Sequence, residues 1–416
     1  MRILLAPDRF AGPLTAVEAA AALRRGWLRR CPGDEVDVRA MSDGAAGLID
    51  VVHAAAGGHL VPLTATGPLG EPVLATLLHV PGSAGGTTYV EAGQALGRHL
   101  VPDGEDRRYA EEGTSVGLGE LLLAALATGA SRVVVGLGAA STHDAGAGML
   151  AALAGGCDAP GVLRGGGLGL GAASRDDVAH LGVVRDLFAG RDVVLAVAST
   201  APLQGLHGAG AQLAARPGIG PAEAQEVDRA VGHLADALER ATALLPPLRP
   251  VLATGSAAGS AGAPAAATAP GSTTTARALG VGRAARADGS GAGGGAALAL
   301  QLLGARVLPG AQVVSRAIDL PGAVGRADVV VTGTTLLDSE ALVSSAVATV
   351  AEAALGEGLP VVVLAEEVQV SRREAARAGI SGTYEVAGTG PDPGAAGLHA
   401  LEGWGERLAR TWSTAS

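Results

Sequence analysis

The chain has 416 residues, a formal charge of −10 and a 48% apolar content that is mostly Ala, Leu and Val, with 2% aromatics. That length allows two domains with separate cores, and an acidic surface without a basic stripe argues against nucleic acid as a partner. All 30 cationic Lys-or-Arg side chains are arginines, so a Walker A loop, a Schiff base and a catalytic lysine are excluded; asparagine is missing too.

Taken in order, the chain repeats one unit: a β-branched run, a small-residue loop with an aspartate, then an amphipathic helix. Arg2–Ala6 reads as a strand that ends at Pro7 and Asp8. Thr15 with Glu18 three residues on forms a capping box, and Val17, Ala20, Ala21, Trp27 and Leu28 make one helical face up to Arg30. Val36, Val38 and Ala40 alternate as a strand, Asp43-Gly44 turns the chain, and a helix runs to about Ala56. A third unit passes from strand Arg132–Val135 through Gly136-Leu137-Gly138 to Asp144 and a helix from Met149 to Ala154. Val193–Val197 is another buried strand. Late in the chain, Asp328–Val331 leads to Thr332-Gly333 and Asp338, a helix is expected from about Glu340 to Leu355, and Pro360–Ala365 is the next strand. The tail ends in a helix with Leu398, Leu401 and Leu408 on one side. Strands separated by helices predict a mostly parallel sheet, which binds ligands beyond its carboxyl ends.

Asp8, Asp43, Asp144 and Asp338 each follow a predicted strand. Any one of them alone reads as a turn or cap residue. Four in the same topological position suit a site that holds Mg²⁺ or activates a hydroxyl. Two glycine-rich runs stand out, Gly136 to Ser141 and Asp288 to Gly295. The first lies between a strand and a helix as a phosphate-cradling loop would, but it lacks the third glycine of a dinucleotide fingerprint; the second is as well explained by flexibility. Residues 251–277 are almost only Ala, Gly, Ser, Thr and Pro and read as a disordered surface insertion. Cys31 and Cys157 are too few for a disulfide framework, which suits a reducing, cytoplasmic compartment. No apolar stretch approaches the length of a membrane span.

In order, these segments resemble the bacterial glycerate 2-kinase family. The resemblance is carried by Ala6 to Ala16, by Met41 to Gly47, by Ala65 to Val73, by Gly136 to Met149 and by Asp328 to Leu342, and so spans nearly the whole chain. It departs from the family at several polar positions. Ala11 and Ser345 stand at lysines, Ala46 and Thr334 at glutamates, His143 at an asparagine, Leu336 at an arginine, and Ala139 and Ala145 at glycines. Ala198 to Leu203 lacks an aspartate and an asparagine, and Arg216-Pro217-Gly218 occupies a Gln-Lys-Gly position. The four aspartates, Glu91, Glu120 and Ser339 survive.

The resemblance implies an α/β protein of two domains. A flavodoxin-like parallel-sheet domain, discontinuous in sequence, is expected from 1–62 and 285–416, with a second α/β domain, 63–284, inserted and the ligand cleft at the junction. It implies ATP- and Mg²⁺-dependent phosphorylation of D-glycerate or a related hydroxy acid, with Asp8, Asp43, Asp144 and Asp338 as catalytic residues. Substrate and nucleotide contacts are expected from Gly138, Ser141, Thr142, Gly146, Gly291, Gly293, Thr332, Gly333 and Ser339. No dedicated metal ligand is expected beyond the aspartates. The missing charges point to impaired turnover, because one lost stabilising group costs about 10²–10³ in rate; the alternative is an inactive paralogue that binds a small molecule or regulates.

Overall fold

The computed structural model describes all residues except 11, 13, 140–141, 156–160, 217, 247–281, 387–394 and 415–416. The expected insertion 251–277, Ser141, Ala11 and Cys157 therefore lie outside the described residues, the insertion with them as a whole. Its strands are β1 (Arg2–Leu5), β2 (Glu35–Val38), β3 (His59–Thr66), β4 (Pro72–Val80), β5 (Thr87–Glu91), β6 (Arg132–Leu137), β7 (Asp192–Val197), β8 (Arg306–Pro309), β9 (Val329–Leu337), β10 (Val361–Val368) and β11 (Ile380–Glu385). The chain divides into two compact units: Met1–His59 with Ala196–Ala198 and Pro309–Ser416, and Leu60–Leu195 with Ser199–Leu308.

The first unit holds a five-stranded sheet in the order β11-β10-β9-β1-β2, every neighbouring pair parallel. Counted within this unit the order is 2-1-3-4-5, the flavodoxin-like doubly wound arrangement, whose switch point lies between β1 and β9. Ile3 pairs with Val36 on one side and Val329 on the other, so the β-branched runs seen in sequence form the buried centre of the sheet. The helix Ala16–Arg30 starts at the expected capping box, the Glu18 amide donating to Thr15 Oγ1 and the Thr15 amide to Glu18 Oε2. It buries Ala19, Leu23 and Trp27 against the tail helix Ala395–Trp412, which contributes Leu401 and Leu408. Each leucine fully buried in this way contributes about 1.5–3 kcal/mol. A Cβ on Gly26 would lie 1.9 Å from the Glu402 carbonyl oxygen, so glycine lets the two backbones touch. The late helix begins at Ala346, not near Glu340, because Ser345 Oγ accepts the Ala348 amide and caps it there; residues 338–345 form turns.

In the second unit a six-stranded sheet runs β3-β4-β5-β6-β7-β8. β5 and β6 are parallel, but β4 and β5 are antiparallel, with Leu78 opposite Tyr89. Asp192 at the start of β7 receives Arg132 from β6 at 2.8 Å and Arg306 from β8 at 2.7 Å, which ties three strands at one end. Residues 285–308, expected in the first unit, belong here. Gly289 donates to the Thr200 carbonyl, Gly293 donates to the Gly138 carbonyl, and β8 lies beside β7. Among the described residues no helix is long and apolar enough to cross a membrane.

Candidate active site

Three loops of the first unit leave the carboxyl ends of β1, β2 and β9. Their backbones stay bonded past the strands: the Asp8 amide donates to the Gly333 carbonyl at 2.9 Å, and the Met41 amide to the Pro7 carbonyl at 2.8 Å. Thr332 Oγ1 donates to the Ala6 carbonyl at 2.8 Å. Phe10 lies over Gly333, where a Cβ would meet its ring at 2.5 Å. Thr332 and Gly333, expected as ligand contacts, are both buried. Their hydroxyl and missing side chain hold β1 and β9 together.

This scaffold sets Asp8 and Asp43 at the switch point as two half-buried, mutually interacting carboxylates. Asp8 Oδ1 accepts the Arg9 amide at 2.7 Å, and Asp43 Oδ1 accepts the Ala45 amide at 2.9 Å. Ser42 Oγ accepts the Gly44 amide and donates to the Ala46 carbonyl, closing the Asp43 turn. Gly44 takes a φ of 95° there, and a Cβ on it would lie 2.5 Å from the Gly310 Cα. Burial pushes the Asp8 carboxyl up to about 7 and the Asp43 charge adds to the rise, while the Arg9 amide and guanidinium draw it down. Asp43 is likewise raised, chiefly by burial, against the Ala45 amide and the Arg9 charge. Asp338 is half-buried and its Oδ1 accepts the Ala341 amide at 2.8 Å. Among the described residues no hydrogen bond joins it to Asp8 or Asp43, and Ser339 beside it is exposed.

Asp144 sits in the second unit and differs in kind. It is fully buried. Its Oδ2 accepts the Ser115 amide and hydroxyl, both at 2.8 Å, and the Gly148 amide at 3.1 Å; its Oδ1 accepts the Gly146 amide at 3.0 Å. Burial pushes the carboxyl up and these donors pull it back. With three donors on Oδ2, one on Oδ1 and no exposure, this carboxylate, expected as catalytic, is the buried acceptor of its own turn. Ser115, which also accepts the Met149 amide, went unnoticed in the sequence; its signal was a Thr-Ser pair just before the apolar helix Val116–Ala127.

The two glycine-rich runs are bonded to each other. Ala145 donates to the Gly294 carbonyl and Gly293 to that of Gly138, both at 2.9 Å, and Gly291 donates to Ala201. A Cβ on Gly294 would lie 1.4 Å from the Thr142 carbonyl oxygen, and one on Gly293 2.7 Å from Leu137. The amides of Gly146, Gly291 and Gly293 thus face protein acceptors, and these glycines, expected with Gly138 and buried Thr142 as ligand contacts, allow close packing of the two runs. His143 is 2% exposed, and its Nε2 lies 4.0 Å from Asp228 Oδ1. Burial, then the Arg216 charge, push its imidazole down to about 3, so it is neutral.

The first unit is thus a flavodoxin-like α/β sheet with two carboxylates at its switch point, the place where such sheets bind ligands. The chain matches the model of the glycerate kinase family over residues 3–412. It is 31% identical to a glycerate kinase of Bacillus subtilis (strain 168) over 416 residues, covering 99% of this chain and 96% of the relative. It is 29% identical to the glycerate 2-kinase of Escherichia coli (strain K12), covering 82% and 79%. A solved structure of a protein assigned as glycerate kinase 2 from Salmonella typhimurium LT2 superposes with a TM-score of 0.73 at 25% identity, covering 99% of this chain and 98% of that one. The chain belongs to the glycerate kinase family.

Proposed function

We propose that this chain is an ATP- and Mg²⁺-dependent kinase acting on D-glycerate or a related hydroxy acid, at a reduced rate. The observation that carries the reading is the half-buried Asp8–Asp43 pair at the switch point of a chain whose relatives are named glycerate kinases. Asp8 Oδ1 takes the Arg9 amide and Asp43 Oδ1 the Ala45 amide, which leaves each carboxylate lone pairs for a ligand. Among the described residues no group of three or more His, Cys, Asp or Glu side chains is placed to hold a metal. Two hard oxygens nonetheless fit Mg²⁺, which is commonly held by one or two carboxylates together with substrate phosphates. Bound there, the ion would supply charge stabilisation to the transferring phosphoryl group. Asp8 and Asp43 would hold and orient it, and the carboxylate pair accepts the proton of the substrate hydroxyl.

Reduced turnover follows from what the loops lack. Ala46, Thr334, Leu336 and Ser345 carry no charge where the resemblance implies ionic side chains, and Asp144 is a positioning residue for its own turn. The same observation favours a second reading, a paralogue that binds its ligands without turnover. ADP release from MgATP with D-glycerate decides between them. Wild-type turnover above background, falling about 10²–10³-fold in Asp43→Asn, supports the kinase. Thermal stabilisation by MgATP or D-glycerate with no ADP release supports the binding protein, and neither signal refutes both.

A further inference from the structure

We propose that Arg9 is the anion-binding residue of the Asp8–Asp43 site, its guanidinium receiving a negatively charged oxygen of the ligand. The inference rests on the kinase reading above for its choice of ligands, a nucleotide phosphate or the carboxylate of a hydroxy acid.

Two carboxylates alone would repel an anionic ligand, so a cation must stand near them. With no lysine in the chain, that cation is an arginine or a metal ion. Several arginines of this unit are already engaged: Arg2 with Asp328, Arg25 and Arg29 with Glu402, Arg39 and Arg326 with Asp37. Arg9 is placed differently. Its backbone is fixed on both sides, by its amide on Asp8 Oδ1, by Thr335 Oγ1 donating to its carbonyl at 3.3 Å, and by Phe10 pressed onto Gly333. Its side chain is exposed and passes Gly47, its Cδ 3.9 Å from where a Cβ on that glycine would be. The charge reaches both Asp8 and Asp43. Yet among the described residues the guanidinium forms no ion pair and no hydrogen bond.

An arginine anchored beside two carboxylates without pairing to either keeps its fork of donors for a third partner. That fork matches a carboxylate or phosphate in a two-bond contact. The compact charge of a lysine reaches such an oxygen from one point; a guanidinium two positions from Ala11 reaches it from another part of the same loop.

Steady-state kinetics of the wild type, Arg9→Ala and Arg9→Lys, varying MgATP and D-glycerate in turn, tests this. Arg9→Ala is expected to lower kcat/KM about 10–100-fold, the value of one charge-assisted contact, and Arg9→Lys to recover part of it. A rise in KM for MgATP assigns the contact to phosphate, a rise in KM for D-glycerate to the carboxylate, and a fall in kcat alone to the phosphoryl group in motion. Unchanged kcat and KM values in Arg9→Ala overturn the proposal. If the wild type shows no turnover, the kinase reading fails separately, and calorimetry with MgADP and with D-glycerate takes over. Weaker binding of either by Arg9→Ala then supports the role of Arg9. Equal binding, or no binding by the wild type, overturns it.

Discussion

Two turns in this molecule share a local plan and serve opposite ends. Asp43 and Asp144 each follow a strand and precede a helix. Each accepts on Oδ1 the amide two residues on, from Ala45 and from Gly146. Each is followed by a residue with positive φ, Gly44 at 95° and Ala145 at 53°, and each helix has a left-handed glycine at its cap, Gly47 and Gly146. What separates them is the environment of Oδ2. Asp43 is half-buried, whereas Asp144 Oδ2 takes three donors in a closed interior. The same aspartate turn therefore leaves a part-exposed carboxylate in one unit and forms a buried tie in the other, and the number of protein donors separates them.

The sharpest way to break this comparison is to remove the buried carboxylate. Asp144→Ala leaves the Ser115 amide and hydroxyl and the Gly146 and Gly148 amides without their acceptor. Each buried donor so orphaned costs about 1–3 kcal/mol, and a net loss of about 3 kcal/mol or more is expected, far above the effect of Asp43→Ala on stability. All three tryptophans, Trp27, Trp404 and Trp412, lie in the first unit. Hydrogen exchange should therefore quicken around Ser115 and Met149 while tryptophan emission stays unchanged. Equal stability of Asp144→Ala and Asp43→Ala would mean the two aspartates are alike after all.

A smaller effect, of the opposite sign, is expected at Asp8. Its folded-state pKa of about 7 lies above the ordinary 3.8, so the folded chain binds this proton more tightly than the unfolded chain does. Stability from this group is greatest below the ordinary value and is lost as pH rises from about 4 through 7, where the buried carboxyl must ionise beside Asp43. Asp8→Asn keeps the shape without the charge. It should raise the Tm at pH 8, change it little at pH 4, and abolish the pH dependence of activity together with most of the activity. A lower Tm at pH 8 would show that the charge is compensated, by Arg9 or otherwise.

The contrast between the two turns was not legible in the sequence, and the reason is distance along the chain. The capping box at Thr15 and Glu18, the β-branched strands and the position of each aspartate after a strand are local facts, set by residues within a few positions. Flavodoxin-like order came from the resemblance, since periodicity alone does not say which strands are neighbours. The acceptor role of Asp144 depends on Ser115, 29 residues earlier, and the packing of its turn depends on Gly294. Neither partner is signalled near Asp144. The packing of the glycine run 289–295 was illegible for the same reason: glycine demanded by a close approach and glycine left over in a flexible segment look identical until the neighbouring backbone is known. The late helix fell short by several residues because Ser345, read only as a lost lysine, caps it.

The smallest and most specific test lies at the second residue of each turn. Gly44 meets its positive φ at no steric cost, whereas buried Ala145 holds 53° with a Cβ, a conformation that costs an L-residue about 1–2 kcal/mol. Nothing at Ala145 makes that backbone shape dispensable. Its amide is fixed on the Gly294 carbonyl, the Ala147 amide returns to the Asp144 carbonyl, and Gly295 abuts its Cα. The strain is therefore imposed by the same closed interior that buries Asp144. Ala145→Gly should relieve it, partly offset by the greater freedom glycine gives the unfolded chain, for a net gain of about 0.5–1 kcal/mol and a small rise in Tm. The exposed Ala84, with a φ of 58°, provides the control: Ala84→Gly relieves similar strain outside any packed junction. A gain at Ala84 with a loss at Ala145 would show that the Ala145 methyl fills space the junction needs, and that the second turn is held by packing more than by its four hydrogen bonds.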